Sequence, residues 1–90
     1  DQSQINIYNK NKFRRKLDFG TDDTTSTITY AYNANVNLVR SDNVSSINYK
    51  INGTPTEGKV QVEIGDVLVV TIVKSGSGTA SVTLEEFIYS

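Results

Sequence analysis

The 90-residue chain contains no cysteine, histidine, methionine or tryptophan, and only one proline. Without cysteine there is no disulfide and no thiolate; without histidine there is no imidazole ligand or base. The common zinc sites and every Ser-His or Cys-His nucleophile system are thereby excluded. Catalysis would have to rest on carboxylates, hydroxyls or lysine. The adjacent Glu85 and Glu86 point to opposite faces of a regular strand, so they do not form a facing acid and base. The sequence predicts a noncatalytic protein with no cofactor and no metal. Long apolar runs are missing too: the longest covers residues 67–70, against the roughly 18 that a membrane-spanning helix needs. Asp1 opens a polar stretch with no apolar leader, which reads as a processed product or a domain of a longer parent. The lack of cysteine permits folding in the cytoplasm but does not fix a compartment.

What is present is polar and suited to strands. Serine, threonine and asparagine make up 28 of the 90 residues, a mix that is poor in helix interiors and comfortable on strand faces and in turns. Nine cations face ten anions, for a net charge of −1. A domain this small buries only about 60–70% of its unfolded surface, so its apolar residues have to be used efficiently. Two Asn-X-Ser/Thr triplets, at Asn43 and Asn52, are about what this composition supplies by chance, and they carry no weight.

The hydrophobic period is two almost everywhere. Residues 4–8 alternate, with Ile5 and Ile7 on one side. Across residues 28–38 every even position is apolar: Ile28, Tyr30, Tyr32, Ala34, Val36 and Leu38. Eleven residues exceed the usual strand, so a bulge, a bend or a change of sheet is expected near Asn33 to Asn35. Ile47, Tyr49 and Ile51 repeat the alternation before the turn dipeptide Asn52-Gly53, and Val60, Val62 and Ile64 return. Residues 67–73 carry apolar groups in both phases, the pattern of a central strand covered on both faces. Beyond the Ser75-Gly-Ser-Gly78 hairpin tip come Ala80, Val82 and Leu84. The apolar phase then jumps to Phe87 and Tyr89, which predicts a bulge at Glu85-Glu86. About seven strands, with turns every 8 to 12 residues, predict an all-β chain folded as a single antiparallel β-sandwich. Residues 1–20 read as an N-terminal strand and basic arm, and residues 21–90 as the sandwich body.

The segments Ile47-Asn-Tyr-Lys-Ile-Asn-Gly53, Val60-Gln-Val-Glu-Ile-Gly-Asp-Val-Leu-Val-Val-Thr-Ile72 and Gly78-Thr-Ala-Ser-Val-Thr-Leu84 resemble the closing half of immunoglobulin-like modules of phage virion and bacterial surface proteins. In these modules a Gly-Asp corner introduces a central strand and a glycine-rich hairpin precedes the last one. The resemblance spans about half the chain and implies an immunoglobulin-like sandwich at a virion or cell surface. The Cys and Trp of antibody domains are absent, and no binding residues carry over.

Five of the nine cations fall within residues 10–16: Lys10, Lys12, Arg14, Arg15 and Lys16, with Phe13 among them. Residues 1–20 carry five cations and two anions, residues 21–90 four cations and eight anions. Such an arm suits docking on the acidic body of a neighbouring copy, with Ile5, Ile7, Phe13 and Leu17 adding apolar contact or an extra edge strand. The plainer expectation is a solvated edge strand whose cations discourage aggregation. Phosphate contact to nucleic acid is a further alternative, disfavoured by the slightly acidic chain. Asp18, Asp22 and Asp23 lie close in sequence but lack calcium-loop spacing. The tyrosines are candidates for a sugar platform, yet Tyr30, Tyr32 and Tyr49 share the phase of the core. The expectation is therefore a structural or assembly module of a virion or cell-surface protein. Its partners are other protein subunits or neighbouring domains, copies of itself included, and Lys10, Lys12, Phe13, Arg14, Arg15 and Lys16 make the contact. Carbohydrate binding is the alternative.

Overall fold

The computed structural model describes residues 11–89; the strand expected at residues 4–8, and Lys10, lie outside them. The described residues form eight strands and no helix: β1 (Lys12–Phe19), β2 (Thr25–Thr29), β3 (Asn33–Asp42), β4 (Val44–Ile51), β5 (Thr54–Thr56), β6 (Val60–Val62), β7 (Val67–Lys74) and β8 (Ala80–Tyr89). They make two four-stranded antiparallel sheets, ordered β1-β8-β3-β6 and β2-β7-β4-β5. Pairs run first with last, so β1 meets β8, β2 meets β7, β3 meets β6 and β4 meets β5. A chain doubled into one long hairpin and wrapped so that successive strands change sheet has the winding of a jelly roll. An immunoglobulin sandwich keeps its first two strands in one sheet. Here β1 and β2 lie in opposite sheets, so the strand order departs from that expectation, and the count is eight rather than about seven.

The long alternating stretch splits between β2 and β3, where the chain crosses from one sheet to the other. Its phase survives the crossing because β2 and β3, in opposite sheets, both turn their even positions to the same core: Ile28, Tyr30, Ala34 and Val36 are all buried. Around them pack Leu17 and Phe19 of β1, Val60 and Val62 of β6, Leu68, Val70 and Ile72 of β7, and Ala80, Val82 and Leu84 of β8. β7 is central in its sheet but only one face is covered; its outer residue Val73 is 54% exposed. Ile64 falls past the end of β6 and is 68% exposed.

The corners are fixed by side chains. Asn52 (φ 52°) and Gly53 (φ 84°) supply the two positive φ values of a tight hairpin between β4 and β5. Asn52 also donates to Asp66 and accepts from the Val67 N–H. The Glu63 N–H and the Asn52 amide hold the Asp66 carboxyl below the usual carboxylate range. Asn43 (φ 59°) turns β3 into β4 and clamps the β7–β8 hairpin, accepting from the Gly76 N–H and donating to the carbonyls of Gly76, Ser77 and Thr79. Both sequon asparagines thus use their amide nitrogens inside the fold. The Lys74 ammonium ties the same hairpin to the β1–β2 turn, donating to Gly20, Thr21 and Gly78 carbonyls at 2.6–2.9 Å.

The bulge expected at Glu85-Glu86 is not there. β8 runs unbroken, in continuous register with β1 from Phe19↔Ala80 to Lys12↔Phe87, and buries Ala80, Val82, Leu84 and Glu86 in one phase. The irregularities sit in other strands, between Leu38 and Arg40 of β3 opposite β8 and between Val44 and Ser46 of β4 opposite β7. These two bulges flank the Asn43 corner and bend the chain from sheet to sheet. Among the described residues one side of the sandwich stays open: β6 pairs with Ala34–Val36 of β3, and β5 with Tyr49–Ile51 of β4. Leu38 and Val39, beside the unpaired stretch of β3, are 42% and 41% exposed.

Candidate interaction surface

From Lys12 onward the basic stretch is not an arm but β1, the edge strand of the β1-β8-β3-β6 sheet. Its alternation divides the expected contact residues. Phe13, Arg15, Leu17 and Phe19 turn inward, and Lys12, Arg14, Lys16 and Asp18 turn outward. Directly opposed residues share a face, so the pairings lay out the sheet's outer surface in rows. Lys12, Phe87, Asn35 and Gln61 make one row, and Arg14, Glu85 and Asn37 the next. Lys16, Thr83 and Arg40 follow, and Asp18, Ser81 and Asp42 close the series. Four cations and three carboxylates share this face, so its charge is patterned rather than uniformly basic. Arg14 lies 3.5 Å from Glu85, Lys16 3.7 Å from Asp18, and Arg40 3.1 Å from Asp42. The Lys16–Asp18 and Arg40–Asp42 pairs are exposed, contribute about 0–1 kcal/mol each and leave their charges accessible to a partner, whereas the Glu85 side chain beneath Arg14 is only 14% exposed. A recess of about 370 Å³ opens at the acidic end, among Lys16, Asp18, Gly20 and Asp42. Lys12 stands 5.7 Å over the Phe87 ring.

Arg15 does something different. Its Nε donates to Glu86 Oε2 at 2.8 Å and its Nη2 to the Tyr32 hydroxyl at 3.0 Å. Tyr30 and Tyr32 donate to the two oxygens of the same carboxylate at 2.8 and 2.7 Å. Phe13 packs edge-on against Tyr32, which packs edge-on against Tyr30. Glu86 is 0% exposed, yet its charge meets one cation and two hydroxyl donors. This explains the unbroken β8: a carboxylate satisfied in this way occupies an inward position that alternation reserves for an apolar side chain. Arg15 and Phe13 are therefore committed inside the sandwich, and Lys12, Arg14 and Lys16 are the expected contact residues that the fold leaves outward.

Burial, and then the bond to Glu86, push the Tyr30 phenol above its ordinary range, and the same causes raise Tyr32. The Glu86 carboxylate holds the Arg15 guanidinium firmly protonated. A phenol whose pKa is higher folded than unfolded contributes stability below about pH 10, which is lost as pH rises toward the folded value. Above pH 10 the free energy of unfolding is expected to fall by up to about 1.4 kcal/mol per pH unit for Tyr30. Denaturant titrations at pH 9 to 11.5 check this, and Tyr30→Phe should flatten the decline. An equal slope in the variant refutes it.

The remaining sequence candidates are scattered. Tyr30 is buried and Tyr32 and Tyr49 are half-buried on the core side, so these three form no exposed sugar platform. Tyr89 lies on the outer face beside Asn33, its hydroxyl accepting from Gln61 at 2.8 Å. Among the described residues no group of three or more acidic side chains is placed to hold a metal ion, which leaves Asp18, Asp22 and Asp23 apart. The phase shared by Phe13, Leu17 and Phe19 is the one signal of β1 in the sequence, and Arg15 at the inward position between them hid it. No family model, curated protein or solved structure matches the chain.

Proposed function

We propose that the chain is a noncatalytic structural module of a virion or cell-surface protein, which assembles with other protein subunits through the outer face of the β1-β8-β3-β6 sheet. The observation that carries this reading is the row pattern on that face, where Lys12, Arg14, Lys16 and Arg40, with Glu85 among them, give way to the acidic row of Asp18 and Asp42. A cationic stretch ending in an acidic row suits a partner of complementary pattern. It sets orientation and association rate more than raw affinity. Jelly rolls serve in capsid and lectin domains, but a fold by itself assigns no role, so the charge pattern bears the argument.

Replacing Lys12, Arg14 and Lys16 together with glutamate is expected to abolish association at low salt, read by sedimentation velocity. Stability should fall by about 1–3 kcal/mol in sum, since two weak pairs are lost and glutamates are set against Glu85 and Asp18, and circular dichroism checks that the variant stays folded. Association that persists unchanged in the triple variant overturns the reading.

A further inference from the structure

The sheet that carries the patterned face has two different edges. β1 presents cations along its length, a device that discourages strand pairing. β3 is covered by β6 only at Ala34–Val36, and its next inward residue, Leu38, is 42% exposed although it pairs with the fully buried Leu84. The backbone is open there as well. The Ile88 N–H donates to the Asn11 carbonyl, so the even residues of β8 turn their polar groups to β1 and the odd ones to β3. By the same alternation Asn35 and Asn37 bond toward β8, and Ala34, Val36 and Leu38 face the other way. β6 takes the first two. Among the described residues, Leu38 is left with its N–H, its C=O and much of its side chain at an open edge, and Ile47 of the facing sheet is half-buried against the same core.

Resting on the assembly reading, we infer that residues 4–8 of a second copy add to this edge as a strand, with Ile5 and Ile7 covering Leu38 and Ile47. The segment has the required pattern, two isoleucines two positions apart among polar residues, and strand addition of this kind takes its affinity from main-chain bonds and its register from alternate side chains. The donor has to come from another molecule. Only Asn9 and Lys10 separate Tyr8 from Asn11, and three residue steps of chain span at most about 11 Å. Asn11 stands beside Ile88 on the far side of β8. The open edge is three strand spacings away, about 14 Å, and starts at Asn37, which is level with Glu85 and about 10 Å further along the sheet. The separation of about 17 Å exceeds the reach. Donor and acceptor lie at different ends of the sheet, so the contact is head to tail: it propagates into rings or filaments, or closes as a dimer when two copies exchange their segments.

The test uses the full chain in sedimentation velocity with circular dichroism as the folding control. The wild type should form a concentration-dependent series of oligomers. The donor variant Ile5→Asp/Ile7→Asp and the acceptor variant Leu38→Asp should each be folded monomers, with Leu38→Ser as the second acceptor variant if aspartate prevents folding. Mixed in equal amounts, they should give a one-to-one dimer and nothing larger, because one retains a working edge and the other a working strand. In this cysteine-free chain, Ile7→Cys and Leu38→Cys proteins should also cross-link on mixing. Variants that assemble like the wild type, or a mixture that stays monomeric, overturn the inference and leave the patterned face to be judged by its own charge reversal. A wild type monomeric at every concentration overturns both.

Discussion

Replacing Glu86 with alanine lowers the free energy of unfolding by about 3–5 kcal/mol, the usual cost of removing one partner from a buried ion pair. For a domain of this size, whose whole stability is about 5–13 kcal/mol, that is a large share. Three donors lose their acceptor at once: the Arg15 guanidinium, one-third exposed, and the hydroxyls of Tyr30 and Tyr32. Arg15 recovers some water, whereas the Tyr30 hydroxyl, on a residue 2% exposed, recovers little. Arg15→Leu is expected to cost at least as much, since it strands a carboxylate that is 0% exposed. Glu86→Gln keeps the shape but loses the charge-assisted bonds and should cost about 1.5–3 kcal/mol. The decisive comparison is the triple variant Arg15→Leu/Glu86→Leu/Tyr30→Phe, which removes the charges and one hydroxyl donor together and should regain most of the loss. Urea unfolding followed by circular dichroism measures all four. An alanine variant within about 0.5 kcal/mol of the wild type would show that the cluster is not holding this end of the sandwich.

The same cluster explains which parts of the molecule the sequence exposed to view. Alternation between Ile28 and Leu84 identified an all-β sandwich and most of its core, because strands buried on one face write their burial into a period of two. The Asn52-Gly53 hairpin was legible for a local reason, the tolerance of both residues for positive φ. The ends were not. Arg15 in β1 and Glu86 in β8 occupy inward positions, so each strand reads as interrupted at its polar member. β1 then looks like a charged arm, and β8 looks bulged. Only the pairing of β1 with β8 brings the two polar interruptions together, and that contact spans 71 residues of sequence. The change of sheet between β2 and β3 was hidden for a different reason: it keeps the inward phase, so one alternating run serves two sheets. For the proposed contact surface, the sequence indicated a cluster of cations but not its neighbours. Glu85, Asp18 and Asp42 enter the face only through the pairings of β8 with both flanking strands.

If β1 is part of the sandwich and not an appendage, a chain beginning at Leu17 should fail to fold cooperatively, whereas one beginning at Asn11 should melt as a single domain. The shorter chain loses five of the eight β1–β8 pairs, from Lys12↔Phe87 to Lys16↔Thr83. It also loses Arg15, leaving Glu86 buried without its cation at about 3–5 kcal/mol, and it opens the β8 edge beside Leu84, which is 0% exposed in the intact fold. The pair alone takes much of the total stability, and the exposed apolar edge adds about 25 cal/mol for each Å² returned to water. Restoring the charge balance separates the two contributions. In the chain that begins at Leu17, Glu86→Leu removes the stranded carboxylate but not the missing strand, so it should recover only part of the transition. Full recovery would mean that the ion pair, not strand pairing, is what β1 contributes. A cooperative melt of the unmodified shorter chain at the temperature of the longer one would mean that residues 11–16 are dispensable and that the edge of the sandwich begins further along β1.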